Sequence, residues 1–253
     1  MDKNKKIKIF FLLLYVLLAC CLVYFWRPIY IISIIVVLLP PSILNFYWLK
    51  NSRARVLIFS IVALFLFAPP VELMARLKDV WDVSSVFPRI LGLIPLENML
   101  FAFLNFFWGL SFYEYFINND RPGKINKNFK YLIDLFLIFS VIVFSLYFYN
   151  KDIIGANYIT IAVIVLIIPM TWLFFKKPLL IKKTIIPTLF FALVFFVYEL
   201  VSLKIGSWFW PGDYLFPVKI WGEVFPLDDV IIWYFLSTPA LILGYEFFAD
   251  DFS

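Results

Sequence analysis

Long apolar segments alternate with short polar segments along the whole chain. Each apolar segment has about the twenty residues that an α-helix needs to cross ~30 Å of hydrocarbon. Because the apolar runs are continuous and do not alternate with a period of two, they exclude a transmembrane barrel. The pattern predicts an all-α polytopic membrane protein with about eight transmembrane helices, at residues 7–26, 29–49, 56–74, 96–117, 131–149, 154–175, 184–203 and 227–248.

The composition of the chain agrees with a membrane protein, and its charge predicts the orientation. Of the 253 residues, 64% are hydrophobic and 22% are aromatic, far from the usual make-up of soluble domains. Most of the 22 Lys and Arg residues fall at 3–8, 50–55, 121–130 and 176–183. Since basic residues are retained on the cytoplasmic side, we predict an integral protein of the cell (inner) membrane with both termini in the cytoplasm. The same asymmetry explains the net charge of +5, so we expect no nucleic-acid partner.

Cofactor-binding motifs are missing from the sequence. The two cysteines, Cys20 and Cys21, are adjacent within the first predicted span, and there is no histidine, so neither a disulfide framework nor a zinc site is indicated. Dinucleotide, phosphate-loop, catalytic-triad and Asp-rich diphosphate motifs do not occur. We therefore expect no metal and no cofactor. The Lys-rich, apolar N-terminus resembles a secretory signal, but we expect it to be retained because the even span count depends on it.

Three segments of the first half recur in the second half in the same order. The pairs are VELMARLKDVW (71–81) with YELVSLKIGSW (198–208), PLENMLF (95–101) with PLDDVII (226–232), and SFYEYF (111–116) with LGYEFF (243–248). Their displacements are similar, between 127 and 132 residues. We predict two tandem four-helix repeats, 1–122 and 123–253. Because four crossings return the chain to the same side, the repeats should be parallel and related by an axis along the membrane normal.

Acidic residues at the ends of the predicted spans are part of the repeat. Glu72 aligns with Glu199, and Glu97 aligns with Asp228. In each copy one acid ends a helix and the other begins the next, so all four should lie near the outer face. A carboxylate at the edge of the hydrocarbon is costly unless it is paired, protonated or hydrated. Only the second copy has two adjacent acids, because its Asp229 aligns with an amide in the first copy.

These residues also have structural interpretations. An acid that follows a proline at the start of a helix can cap free N–H groups and complement the helix dipole, which applies to Glu97 and Asp228. Glu72 and Glu199 could extend toward the interface. Tryptophans commonly form a belt at the membrane surface. We expect a structural role for the further repeated pair, which is Glu114 and Glu246.

Grouped carboxylates in a medium of low dielectric titrate at different pH values, so one can act as an acid and another as a base. A proton donor among aromatic walls suits an apolar substrate whose reaction begins by protonating an alkene. Aromatic faces can then stabilise a carbocation. The two linkers, at 75–94 and 204–225, are rich in Trp, Phe and Pro, and we predict that they fold back over the helix ends as a lid.

The doubled Pro-x-acid element resembles the integral-membrane lycopene cyclase domain family, which includes heterodimeric and fused carotenoid cyclases. It stands in RILGLIPLENMLF and VKIWGEVFPLDDVII, each downstream of a Glu and a Trp at matching spacing. The family pattern is Pro-x-Glu-Glu/Asp. This chain departs from it twice, because Asn98 replaces the second acid of the first copy and Asp228 is one methylene shorter than Glu.

The resemblance implies a redox-neutral, proton-initiated cyclisation of a linear carotenoid within the membrane, from the ψ-end of lycopene to a β- or ε-ring. Carried over by position, the motif residues are Pro95, Glu97, Asn98, Pro226, Asp228 and Asp229. We predict Asp228 or Asp229, with Glu199 beside them, as the proton donor. Glu97 or Glu72, or a water that one of them holds, is predicted to be the base. The predicted substrate-binding residues are Trp81, Trp208, Trp210, Trp233 and Asn98.

Two alternatives remain open on the sequence alone. The same chemistry could cyclise another prenyl or meroterpenoid substrate. The chain could instead be a transporter or lipid-binding membrane protein, although its eight glycines and the placement of its acids at one face favour an enzyme over a transporter with broken helices. The expected partners are membrane lipid and an apolar isoprenoid. The pattern is compatible with a homo-oligomer and does not decide the oligomeric state.

Overall fold

The computed structural model describes residues 2–154, 158–227 and 230–250 and is mostly helical. In these ranges seven helices are long and apolar enough to cross a membrane, which confirms the prediction of an all-α membrane protein. They are Lys3–Trp26, Tyr30–Trp48, Arg53–Arg76, Leu96–Ile117, Phe129–Ile153, Ile159–Lys176 and Pro178–Lys204. A further helical segment follows at the C-terminal end, and the eighth span stays a prediction.

The helices begin and end close to the predicted bounds, and several contain a π-helical turn. The α-helices are α1 (Lys3–Trp26), α2 (Tyr30–Trp48), α3 (Arg53–Val62), α4 (Ala68–Arg76), α5 (Leu96–Phe112), α6 (Phe129–Ile154), α7 (Tyr158–Ala162), α8 (Ile168–Lys176), α9 (Ile181–Lys204) and α10 (Phe235–Phe248). The π-helical turns are Ala63–Phe67, Tyr113–Ile117, Val163–Ile167 and Val230–Tyr234, and a 3₁₀ turn covers Pro178–Leu180.

A π-helical turn, Ala63–Phe67, interrupts the third of these long helices. It joins α3 to α4, which has prolines in its first turn. Pro70 has no N–H to offer to the carbonyl of Leu66, four residues earlier. That carbonyl instead accepts a hydrogen bond from the hydroxyl of Ser140 on α6. The carbonyl freed by the irregular backbone thus has a hydrogen-bond donor on a neighbouring helix, as the interior of a membrane requires.

The two halves of the chain interlock through their helices. Helix α1 of the first half packs on α9 of the second half, while α6 of the second half packs on α4 of the first. Helices α5 and α10 also contact each other between the halves. They approach closely at Gly109, where an added Cβ would lie 2.9 Å from Cδ2 of Leu241. Each half therefore completes the packing of the other.

The two linkers pair with each other and lie against the helix ends. Strand β1 (Asp82–Val83) of the first linker runs antiparallel to β2 (Trp208–Phe209) of the second. The second linker continues as a hairpin of β3 (Pro217–Ile220) and β4 (Glu223–Pro226). Side chains from both linkers pack into the helical core, among them Trp81, Val83, Trp208 and Val218.

Candidate functional site

The linkers and the adjacent helix ends bring the predicted site residues together. Within the part of the chain that the structure describes, these residues form what we call the carboxylate–tryptophan cluster. Its members are Glu72, Trp81, Glu97, Asn98, Glu199, Trp208, Trp210 and Trp233. The remaining two predicted site residues, Asp228 and Asp229, lie outside the described residues.

Glu72 is buried in the last turns of α4, where its side chain is only 6% exposed. The indole N–H of Trp81 donates to its Oε2 (2.9 Å), and the amide Nδ2 of Asn98 donates to its Oε1 (2.9 Å). The Oδ1 of Asn98 accepts a hydrogen bond from the hydroxyl of Tyr30 (3.0 Å). An ionised acid at position 98 would have no hydrogen to donate and would repel the Glu72 carboxylate. The departure of Asn98 from the family pattern therefore fits the hydrogen bonds around Glu72.

The arginine one turn after Glu72 is engaged by the linker. The guanidinium of Arg76 donates to the carbonyl of Trp81 and lies 2.9 Å from the carboxylate of Asp82. Arg89 binds the same carboxylate at 2.8 Å. Burial acts to raise the pKa of Asp82, but hydrogen bonds from Arg89, from the N–H of Val83 and from Arg76 outweigh it and hold the pKa below its usual value. These contacts fix the start of the first linker over the cluster.

Glu97 binds the other part of the same linker. Its Oε2 accepts from the hydroxyl of Ser85 (2.7 Å), and its Oε1 accepts from the backbone N–H groups of Val86 (2.7 Å) and Phe87 (3.1 Å). The residue is fully buried in the first turn of α5. The carboxylate of Glu97 therefore ties the linker to the helix, a contact that the sequence pattern did not predict.

Glu199 lies near the end of α9, 8% exposed, at the position that aligns with Glu72. By the repeat, Trp208 should donate to it as Trp81 donates to Glu72. The structure differs, because the indole N–H of Trp210 donates to Oε1 of Glu199 (2.5 Å). Trp208 lies in β2, paired with Val83, and its buried N–H has no hydrogen-bond partner among the described residues. Because the two linkers pair in antiparallel, the indole that donates to Glu199 lies two residues after the position that the repeat indicates.

The tryptophan rings form a continuous aromatic group between the two glutamates. The ring centroid of Trp81 lies 6.5 Å from that of Trp210 and 5.6 Å from that of Trp233, and both pairs meet edge to face. The rings of Trp208 and Trp210 are 5.8 Å apart. The indole that binds Glu72 therefore touches the indole that binds Glu199.

Sequence reasoning missed the polar residues that line this group from α2 and α9. Tyr30 packs edge to face on Trp208 at 6.1 Å and binds Asn98. The hydroxyl groups of Ser33 and Tyr198 lie 2.8 Å apart. Tyr198 could have been found from the sequence because it directly precedes Glu199. Tyr30 and Ser33 of α2 belong to no motif, and only the tertiary packing brings them to the cluster.

The cluster combines groups suited to acid–base chemistry on an apolar ligand. Glu72 and Glu199 are each held by neutral N–H donors, and the structure shows no salt bridge to either among the described residues. The ring faces around them can stabilise a cation. In the described ranges, no group of three or more His, Cys, Asp or Glu side chains is arranged to hold a metal ion.

A second buried group of acids lies at the opposite ends of these helices, and we call it the Arg55 network. Arg55 contacts Asp250 at 2.9 Å and Glu114 at 3.5 Å, while Lys183 contacts Glu246 at 3.6 Å. Two tyrosines reach across the bundle. The hydroxyl of Tyr245 donates to Glu114 (2.7 Å), and that of Tyr113 donates to Glu246. The predicted structural pair, Glu114 and Glu246, is thus paired with cations and hydroxyl groups.

Comparison with known proteins found no match among protein-family models, curated proteins or solved structures.

Proposed function

We propose that this chain is an integral-membrane isomerase of the lycopene cyclase type, which cyclises a linear isoprenoid by protonating a terminal double bond. The observation that carries the proposal is the contact between Trp81 and Trp210, whose indoles bind Glu72 and Glu199. Two buried carboxyl groups thereby share one aromatic enclosure. Proton-initiated ring closure needs a positioned acid, a positioned base and cation-stabilising walls.

We also propose that the fold is a duplicated four-helix unit with eight spans. The reciprocal bonds Tyr113–Glu246 and Tyr245–Glu114 support it, since each tyrosine and each glutamate is displaced by 132 residues from its counterpart. The cations of the network, Arg55 and Lys183, are 128 residues apart. In the linkers, Asp82 pairs with Phe209, its counterpart at a displacement of 127, as expected where two related strands meet on a twofold axis.

The small changes in displacement support the same duplication. Each π-helical turn inserts about one extra residue into a helix. The turn Ala63–Phe67 occurs only in the first copy of its helix, and the displacement falls from 128 before it to 127 after it. The turn Val230–Tyr234 occurs at the start of the last helix of the second copy, where the displacement rises from 131 to 132.

In the proposed reaction, an acid of the second copy delivers the proton. Asp228 or Asp229, with Glu199 as neighbour, protonates the terminal double bond of a ψ-end group, and the resulting cation closes to a six-membered ring. A base of the first copy then removes a ring proton, which restores neutrality and returns a double bond. Glu72 is the better placed base, because the carboxylate of Glu97 is occupied by three linker groups.

The paired linkers act as the lid in this proposal. They place Trp81 and Trp210 directly on the two glutamates and would exclude water that could trap the cation. With both termini in the cytoplasm, the lid and the cluster lie at the outer face of the membrane.

The test is product formation in a bacterium that makes lycopene. Cells expressing the protein should accumulate cyclic carotenoids, and the double variant Asp228→Asn/Asp229→Asn should lose them at equal protein level. Asp134→Asn, at an exposed position of α6, is the matched control and should retain full product. Undiminished ring formation by the double variant would remove the proposed role of both aspartates.

A second candidate is cyclisation of a different prenyl chain by the same chemistry. It is favoured by Asn98, whose amide binds Glu72 at the place where the family pattern has an acid. In this case lycopene stays linear in the expressing cells, while a prenylated quinone or aromatic precursor supplied to membranes gains a ring. That ring should also disappear in the double variant.

A further inference from the structure

A groove runs along the bundle surface between α1 and α2, far from the carboxylate–tryptophan cluster along both helices. Its volume is about 780 Å³. The walls come from Phe11 and Tyr15 of α1 and from the segment Pro40–Trp48 of α2. Side chains along it face out of the bundle, with Phe11 60% and Leu44 43% exposed. The groove is therefore open to the surroundings of the helices, which in a membrane are lipid chains.

Two adjacent prolines shape this groove. Pro40 has no N–H for the carbonyl of Val36, four residues earlier. The hydroxyl of Tyr15 donates to that carbonyl at 2.6 Å. The polar group that the proline exposes is thus satisfied by a wall residue, and the lining that remains is almost entirely apolar. Such a lining suits a hydrocarbon chain and does not suit a polar ligand.

One end of the groove carries a positive charge. The ammonium group of Lys8 lines it and lies 4.3 Å from the ring centroid of Trp48 and 4.7 Å from that of Tyr115. It also donates to the hydroxyl of Tyr115. A lysine ammonium has three N–H donors, so the aromatic contacts hold it in place while further donors can bind an anion. Lys5, one turn earlier, has its ammonium 5.5 Å from the centroid of the same Tyr115 ring and adds charge at this end.

We propose that this groove binds one anionic glycerophospholipid, with an acyl chain along the apolar walls and the headgroup phosphate on Lys8. The charge at one end and the apolar walls match the two parts of such a lipid. The volume lies in the range of small-molecule sites, roughly 300–1,000 Å³. A second copy of the chain would need a far larger buried area for a stable contact, about 1,600 Å² in total.

The proposal is tested by native mass spectrometry of the detergent-purified, delipidated full chain with dioleoyl phosphatidylglycerol or dioleoyl phosphatidylcholine. We expect one phosphatidylglycerol to bind in preference to phosphatidylcholine. Lys8→Gln should weaken phosphatidylglycerol binding about fivefold, the usual contribution of one basic residue near an anionic lipid surface. Lys130→Gln is the matched control, because Lys130 also lies near the start of a helix and over a tyrosine ring.

A second variant tests the groove itself without touching the charge. Leu44→Trp fills the groove from an exposed position and should abolish binding of the lipid. Leu137→Trp, at a position of similar exposure on α6 (48%), should leave binding unchanged. Equal binding of the two lipids by the unsubstituted chain, binding that survives both Lys8→Gln and Leu44→Trp, or a lipid-free dimer that Leu44→Trp disrupts would each overturn the proposal.

Discussion

Buried glutamates occupy both ends of the helix bundle, but their partners differ. In the Arg55 network the acids lie beside cations, with Arg55 2.9 Å from Asp250 and Lys183 3.6 Å from Glu246. In the carboxylate–tryptophan cluster, Glu72 and Glu199 receive hydrogen bonds from indole and amide groups that carry no charge. Glutamate carboxylates are therefore balanced by cations in the Arg55 network, whereas in the carboxylate–tryptophan cluster neutral hydrogen-bond donors only orient them.

This difference separates a structural role from a chemical one. A buried carboxylate beside an arginine is balanced by that cation, and removing either partner leaves an unpaired buried charge. Neutral donors hold a carboxyl group in position while leaving its proton free to be exchanged with a substrate. Arg76, one turn after Glu72, is held by Asp82 and the carbonyl of Trp81. The comparison thus supports the proposal that the cluster transfers protons.

The largest effect is expected from Arg55→Met. The residue is 2% exposed, and its loss removes the guanidinium that contacts Glu114 and Asp250. We expect the free energy of unfolding in detergent to fall by about 3–5 kcal/mol. Arg53→Met, which removes an exposed guanidinium that donates to the carbonyl of Tyr47 and lies 5.7 Å from the ring centroid of Phe46, should cost less than about 1 kcal/mol. If both variants lost the same free energy of unfolding, the Arg55 network would contribute no more to stability than an exposed arginine does.

The next largest effect is expected on the rate of ring formation, and it tests the carboxylate–tryptophan cluster. Glu199→Gln keeps the size of the side chain but removes its capacity to exchange a proton with the proposed donor, Asp228 or Asp229. We expect the rate of ring formation to fall about 100-fold, the lower end for general acid–base groups, with a change in stability below about 1 kcal/mol. Glu223→Gln is the matched control, since Glu223 lies in the lid, bound to Lys204 at 3.0 Å. Ring formation is measured by pigment chromatography at equal protein level.

The opposite outcome of that experiment is also informative. If Glu199→Gln unfolds the protein while the product per folded molecule is unchanged, Glu199 has the same role as the acids of the Arg55 network. The comparison between the two ends would then fail.

Helices and their terminal acids could be predicted from the sequence because both depend on local pattern. The apolar windows matched seven helices of sufficient length, and Glu72, Glu199 and Trp81 were found from the repeat alone. The donor to Glu199 could not be found in this way, because the repeat aligns Trp208 with Trp81 and the structure has Trp210 as the donor. Its choice depends on the pairing of β1 with β2, a contact between linkers more than a hundred residues apart. No local spacing encodes such a register.

The π-helical turns could not be predicted from the sequence either, because they depend on packing and leave no local motif. The turn Ala63–Phe67 shifts Arg55 by one residue relative to its counterpart Lys183, so a gapless alignment of the two halves does not superpose these cations. Tyr30 was missed because α2 contributes to the cluster only through packing against the linker. The described ranges do not include the predicted proton donors, Asp228 and Asp229, so their placement remains a prediction.

A smaller effect tests the reciprocity within the Arg55 network. Tyr113→Phe and Tyr245→Phe each remove one hydrogen bond to a buried glutamate. We expect each to lower the free energy of unfolding by about 1.5–3 kcal/mol, as for hydrogen bonds to charged groups. Tyr131→Phe, at an exposed position, should have no measurable effect. Strongly unequal losses for the two buried tyrosines would show that the halves do not contribute equivalent contacts.

The smallest effect concerns the linker that covers the cluster, and it depends on pH. The pKa of Asp82 lies below its usual value because hydrogen bonds from Arg89, the N–H of Val83 and Arg76 outweigh the opposing effect of burial. The stability this gives is present above the unfolded-state pKa of about 3.9 and is lost as the pH falls through the folded-state value. Because the carboxylate is partly exposed, we expect Asp82→Asn to cost at most about 1 kcal/mol at pH 7. The difference in melting temperature between the two proteins should shrink as the pH falls below about 3.9 and vanish below the folded-state pKa.

The response to salt should distinguish the contacts of Asp82 from those of Asp120, at the opposite end of the bundle. Burial also acts to raise the pKa of Asp120, and the hydroxyl of Ser52 together with the backbone N–H groups of Lys50, Ser52 and Asn51 lowers it below its usual value. These donors are neutral, whereas Asp82 is held by two arginines. Since salt screens exposed ion pairs, 1 M NaCl at pH 7 should shrink the effect of Asp82→Asn and leave that of Asp120→Asn almost unchanged. Equal sensitivity of both variants to salt would mean that the arginines do not hold the linker through charge.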